Sequence, residues 1–175
     1  MLPEFAQSLY QRFDREGIPL LLAGGWAVSF HGYSRYTRDV DWICSRGDEG
    51  RAITLMERIG FKVAFQAMAT RFQLAGHPEV PPVDLLWVSP ETFAKMALTD
   101  QRTGLHDDIP VIDFESLLAM KLHALKDQDE RGGRDMLDLR MLLKMNPRAI
   151  PAERLRELCE HYASPEVFQT LGNEP

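Results

Sequence analysis

The spacing of hydrophobic positions divides the chain into segments of two kinds. Phe5, Leu9 and Phe13 recur every four residues and Gly17 follows, which predicts an amphipathic helix over 3–15. Residues 19–23 form a short apolar strand, Gly24-Gly25 breaks it, and 26–31 reads as a short helix. Residues 40–44 read as a second strand. Asp48 stands where it can cap a helix whose Ile53, Met56 and Ile59 face inward and which stops at Gly60. Two strand-like runs follow, 61–68 and 71–75, and then a bend carrying Pro78, Pro81 and Pro82. Residues 83–88 are a strand by length and composition. Ser89-Pro90-Glu91 starts a helix with a cap, a proline in the first turn and an acid that suits the helix dipole. A short edge strand is expected at 109–112. Beyond Asp113 the pattern is helical, over 114–127, 134–145 and 151–162, with Gly132-Gly133 and Pro147 as breakers.

This pattern predicts an α+β fold. A small mixed sheet flanked by helices occupies 1–112, and a C-terminal helical part over 113–175 packs on it without a linker, as one compact unit. Composition narrows the function classes. The chain has 175 residues with 26 acidic and 20 basic side chains, a net charge of −6, which excludes a generally basic nucleic-acid coat. Cys44 and Cys159 offer neither a disulfide framework nor a zinc spacing, so both are expected as buried, reduced thiols. There is no cationic start followed by an apolar run, and no apolar run approaches the roughly 18 residues of a membrane span. A cytoplasmic protein with no membrane partner is expected.

Several constellations carry chemistry. Gly24-Gly25 ends a buried strand and begins a helix, where glycine lets the backbone approach a phosphate; read alone it is equally a tight turn. Asp39-Val40-Asp41 on a strand puts two carboxylates on one face, a hard oxygen pair that suits Mg²⁺, or else a solvated strand end. Asp84 stands among apolar neighbours, where an aspartate needs a partner or a metal unless it merely opens its strand. If its strand neighbours Asp39 and Asp41, three carboxylates converge as phosphoryl or nucleotidyl transfer requires. Lys121 fills a core-facing slot in the stripe Phe114, Leu117, Leu118, Leu122, Leu125. It either snorkels to water or aims a cation into a cleft to bind triphosphate oxygens. Arg131, Arg134, Asp135 and Asp138 surround the next helix start, where Asp135 also suits the helix dipole. Arg35, Arg38, Arg131 and Arg134 make a local basic rim.

Taken together, residues 24–41, from Gly24-Gly25-Trp26-Ala27 through His31-Gly32 to Arg38-Asp39-Val40-Asp41, resemble the signature of nucleotidyltransferases with the DNA polymerase β-like fold. In these a glycine pair is followed by Asp-x-Asp, and here residues 26–38 separate the two. The form is most similar to the minimal bacterial branch, which includes AbiEii-type toxins of abortive-infection systems and small antibiotic nucleotidyltransferases. The stretches 114–125 and 134–139 look like the lysine and aspartate helices of the AbiEii-like group, with Arg134 where lysine is commoner. The resemblance covers about residues 18–145. It implies the nucleotidyltransferase fold and Mg²⁺-dependent transfer of a nucleoside monophosphate from an NTP, with release of pyrophosphate. By the resemblance Asp39, Asp41 and Asp84 bind metal, and Gly24, Gly25, Arg38, Lys121 and Asp135 belong to the nucleotide site. Asp39, Asp41, Asp84 and Lys121 make up the catalytic set. The acceptor hydroxyl is open among an RNA end, a protein side chain and a small molecule. A cognate antitoxin is a possible partner. The alternative is a non-catalytic nucleotide-binding or toxin–antitoxin interaction module on the same fold.

Overall fold

The computed structural model describes residues 4–102, 109–126 and 132–172. Arg131 and the polar stretch 127–130 lie outside the described residues. The chain divides into two compact units, one of residues 1–27 and 35–112, the other of 28–34 and 113–175.

The first unit is built on a mixed sheet. Helix α1 (Glu4–Arg15) buries Ala6, Leu9 and Phe13 on one stripe. It stops at Gly17, whose φ of +64° a glycine adopts without strain. Strand β1 (Leu20–Leu22) is wholly buried, and Gly24 and Gly25 open α2 (Gly24–Phe30). Strand β2 (Val40–Ser45) follows, then a 3₁₀ turn and α3 (Glu49–Arg58). Asp48 occupies the N-cap position of α3 but its side chain does not cap; it accepts from Arg51 at 2.7 Å. The buried face of α3 is Ala52, Leu55 and Met56, so the apolar stripe is turned from the expected Ile53–Met56–Ile59 line.

Strands β3 (Phe61–Gln66) and β4 (Ala69–Leu74) form a hairpin with an irregularity between Val63 and Phe65. Strand β5 (Val83–Val88) alternates strictly: Val83, Leu85 and Trp87 are buried, while Asp84, Leu86 and Val88 face the other way. Ser89 caps α4 (Pro90–Leu98) by accepting from the Thr92 N–H at 3.2 Å. Strands β6 (Gln101–Arg102) and β7 (Pro110–Val111) complete a seven-stranded sheet in the order β3-β4-β5-β2-β1-β7-β6. The segment read as an edge strand is therefore interior, because β6 pairs on its outer side. Both β2–β5 and β1–β7 pair in parallel, and the remaining neighbours are antiparallel.

The second unit is helical. Asp113 caps α5 (Phe114–Ala124), its carboxylate accepting from the Ser116 N–H at 3.0 Å and hydroxyl at 2.7 Å. Helix α6 (Gly132–Met145) begins at Gly132, a position expected to break helix; a helix's first residues have no intrahelical N–H bond to lose. Helices α7 (Ala152–Tyr162) and α8 (Pro165–Gly172) follow, the last not anticipated from the pattern. Leu117, Leu118, Leu122, Leu139, Leu142, Leu158 and Cys159 form this unit's core. Asn146 donates to the backbone oxygen of His31 at 2.8 Å and so ties the 28–34 segment to α6.

Candidate active site

Register places the acids. On parallel strands β2 and β5, Asp41 stands directly opposite Asp84; on antiparallel β4, Arg71 stands opposite Asp84. Directly paired residues share a face, so Asp41, Asp84 and Arg71 form one row across three strands. Asp39, immediately before β2, joins them. One oxygen from each of Asp39, Asp41 and Asp84 lies within 4.8 Å of the others, and all three acids are half-buried. This is the convergence expected if the two strands were neighbours. The donor set is all carboxylate oxygen, with no sulfur or imidazole, and fits a hard divalent cation such as Mg²⁺.

The glycine pair has a role in this geometry. Gly24 sits at φ +56°, and a Cβ there would lie 1.8 Å from Asp41 Oδ2. A Cβ on Gly25 would lie 2.6 Å from Thr37 Oγ1, and that hydroxyl donates to Asp39 Oδ1 at 3.2 Å. The glycines therefore make room for Asp41 itself and for the threonine that orients Asp39. Gly24→Ala is expected to cost about 1–2 kcal/mol from the left-handed backbone alone and to push the Asp41 carboxylate out of place. Gly17→Ala carries similar backbone strain with nothing within 4 Å of the new methyl. Urea denaturation should show both variants destabilised. Mn²⁺ titration should show weakened binding only for Gly24→Ala, and equal binding in the two would count against the interlock.

Arg71 is the residue at the acids that the sequence did not disclose. Its Nε donates to Asp84 Oδ1 at 2.8 Å and its Nη2 to Asp84 Oδ2 at 2.5 Å, a two-pronged fork. The same Nη2 reaches Asp39 Oδ2 at 3.0 Å. The hydrogen bond to Asp84 holds the guanidinium still more firmly protonated than an ordinary arginine. Strand alternation alone puts Arg71 with Gln73 on the polar face of β4. Only the pairing of β4 with β5 brings it to the acids, and that pairing is not written in local pattern.

Lys121 and Asp135 come together in the second unit. Lys121 Nζ donates to Asp135 Oδ1 at 2.6 Å and pairs with Asp138 Oδ2 at 2.8 Å. The Asp138 side chain is 0% exposed and that of Lys121 12%. This ion-pair cluster joins α5 to α6. Arg38 and Arg134 are exposed, and Arg35 donates to the Tyr36 oxygen at 3.2 Å. Cys44 and Cys159 are free and buried as expected, and burial pushes the Cys44 thiol up to about 12 and the Cys159 thiol to about 11. Among the described residues no helix is long and apolar enough to cross a membrane.

Comparisons with known proteins agree with this fold. Residues 89–171 match the family model described as nucleotidyl transferase AbiEii toxin, type IV toxin–antitoxin system. No curated protein matches the chain in sequence. Among solved structures, ANT(2″)-Ia in complex with adenylyl-2″-tobramycin aligns with a TM-score of 0.67 at 15% identity, over 90% of this chain and 94% of that one. The lincosamide antibiotic adenylyltransferase LnuA, lincomycin-bound, aligns with a TM-score of 0.58 at 20% identity, over 80% of this chain and 96% of that one. An antigenic nucleotidyltransferase-like protein from Paracoccidioides brasiliensis aligns with a TM-score of 0.57 at 17% identity, over 97% and 91%. The fold is the nucleotidyltransferase fold.

Proposed function

We propose that this chain, on its nucleotidyltransferase fold, transfers a nucleoside monophosphate from an NTP to a hydroxyl acceptor. The observation that carries this reading is the convergence of Asp39, Asp41 and Asp84 beside the Gly24-Gly25 turn. Asp39 and Asp41, with Asp84, would hold Mg²⁺, which when bound neutralises and orients the phosphates. The chain's own groups do the rest. The glycine turn keeps the backbone low where phosphates approach, and exposed Arg38 adds positive charge near the acids in sequence. The acceptor oxygen bonds to the α-phosphorus as the bond to the bridging oxygen breaks, and pyrophosphate leaves. Asp84, whose side chain is 15% exposed against 33% for Asp39, takes the acceptor's proton. The resemblance assigns Lys121 to phosphate oxygens and places Asp135 in the nucleotide site, in a supportive or a catalytic role. An ammonium has three donors, and here two face Asp135 and Asp138.

The acceptor classes are a small molecule, an RNA end and a protein side chain. Two of the similar folds are adenylyltransferases whose names or bound molecules specify antibiotics, which favours testing a small hydroxyl compound first. The AbiEii match supports a toxin role with a cognate antitoxin as partner. A reaction that consumes NTP suits the cytoplasm, where NTP is supplied. A second reading, a nucleotide-binding or antitoxin-contacting module without catalysis, draws on the guanidinium already seated among the acids.

The test is incubation with each α-labelled NTP, Mg²⁺ and cell extract, followed by separation of RNA, protein and small molecules. Label in one fraction supports transfer and identifies the acceptor class. No label in any fraction above that of a metal-site variant leaves the second reading in place.

A further inference from the structure

We propose that Arg71 is the resident counter-cation of the carboxylate cluster and lets a divalent ion bind tightly only together with the triphosphate; this rests on the reading of the site as a nucleotidyl-transfer centre. Four observations carry it. The guanidinium bonds two of the three acids, so it occupies ligand oxygens a metal needs. Its attachment is uneven. Two bonds, through Nε and Nη2, go to Asp84, while Asp39 receives one, through Nη2 alone. Its stem is fixed by register, because Arg71 lies on a strand hydrogen-bonded on both sides, to β3 and β5. It is not locked in: the Arg71 side chain is 35% exposed, enough for its outer nitrogen to move without unpacking a core.

The charge count gives the arrangement its consequence. Three carboxylates with Arg71 sum to −3 + 1 = −2, matched to one divalent ion, whereas the three acids alone would draw cations more strongly. In the nucleotide-free protein Arg71 therefore competes with metal for Asp39 and repels it at close range. A nucleoside triphosphate changes the balance. It brings further negative charge, and its phosphate oxygens are the ligands an arginine's planar fork suits best. Nη2 then leaves Asp39 for a phosphate oxygen, and Asp39 is freed as a ligand. The Nε bond keeps Arg71 on Asp84 meanwhile. Arg71 is in this sense a positioning residue that acts on the acids.

The experiment is calorimetric titration of the full, nucleotide-free chain with Mn²⁺ alone, for wild type and Arg71→Gln. Loss of the unit charge beside the site should tighten Mn²⁺ binding by about tenfold or more. A loss of merely structural support would weaken it instead. Affinity unchanged within about twofold, or weakened, overturns the proposal. Where Arg71→Gln does not fold, the side-chain N–H resonances of Arg71 in the wild-type chain decide. On Mg²⁺ addition with ATP the Nε–H signal should persist while the Nη signals shift, and signals that stay in place overturn the proposal. The two failures separate cleanly. Equal Mn²⁺ binding by both proteins removes the role of Arg71 alone. Absence of binding by either, with or without ATP, removes the transfer reading and the role of Arg71 with it.

Discussion

Replacing Asp39 and Asp41 together by asparagine is expected to reduce nucleotidyl transfer by at least about a thousandfold, without loss of stability. The two carboxylates stand within 4.8 Å of each other and of Asp84, so each carries repulsion that only a cation offsets. Without metal that cation is Arg71, whose two-pronged bond to Asp84 survives the double change. Asparagine keeps the shape that fits above Gly24 and an oxygen for Thr37 to bond. The thermal midpoint should therefore equal or exceed the wild-type value, while labelled product disappears. A fall in both would mean the acids hold the fold together, and retained transfer would remove them from the chemistry.

The second large effect falls in the helical unit. Lys121→Met is expected to destabilise the protein by about 3–5 kcal/mol, because it takes one ammonium away from both Asp135 and the fully buried Asp138. For a chain of this size that is a fall in thermal midpoint of roughly 10 °C. Adding Asp138→Asn to Lys121→Met should restore part of the loss, since the buried charge that lost its lysine is gone. Calorimetry on the three variants reads both effects. A loss below about 1 kcal/mol for Lys121→Met would show that the pair is solvated. Because stability and the proposed phosphate contact both pass through Lys121, a drop in its transfer rate is informative only beside the melting curve.

Some of this structure was legible in advance and some was not, for reasons that differ by residue. The strand at Val83–Val88 announced itself through a six-residue apolar run broken by one aspartate, and the break is the residue that meets Asp39 and Asp41. Ser89-Pro90-Glu91 marked its helix because capping is local chemistry. The meeting of Asp84 with Asp41 was conditional on which strands pair, a choice made by long-range packing that local pattern leaves open. Arg71 was invisible for the same reason, since a basic residue on the polar face of a hairpin strand ordinarily faces water. The two-residue strands β6 and β7 are too short for any period to show. Asp138 read as one more polar position beside Asp135, although it is the more deeply buried of the two. Gly24 was read for what glycine offers a ligand, whereas its neighbour in space is a carboxylate of the same chain.

The order of the strands also bears on how the site assembles. Arg71 and Asp84 lie on consecutive antiparallel strands joined by the 75–82 bend, a closure over few residues. Asp41 arrives by parallel pairing with β5 across the intervening α3, β3 and β4, a far longer loop. Shorter loops close at lower entropic cost and on shorter timescales. The guanidinium fork on Asp84 is therefore favoured to form before β2 docks. The incoming strand meets one carboxylate already neutralised, and parallel pairing that would otherwise press like charges together proceeds without waiting for an ion from solution.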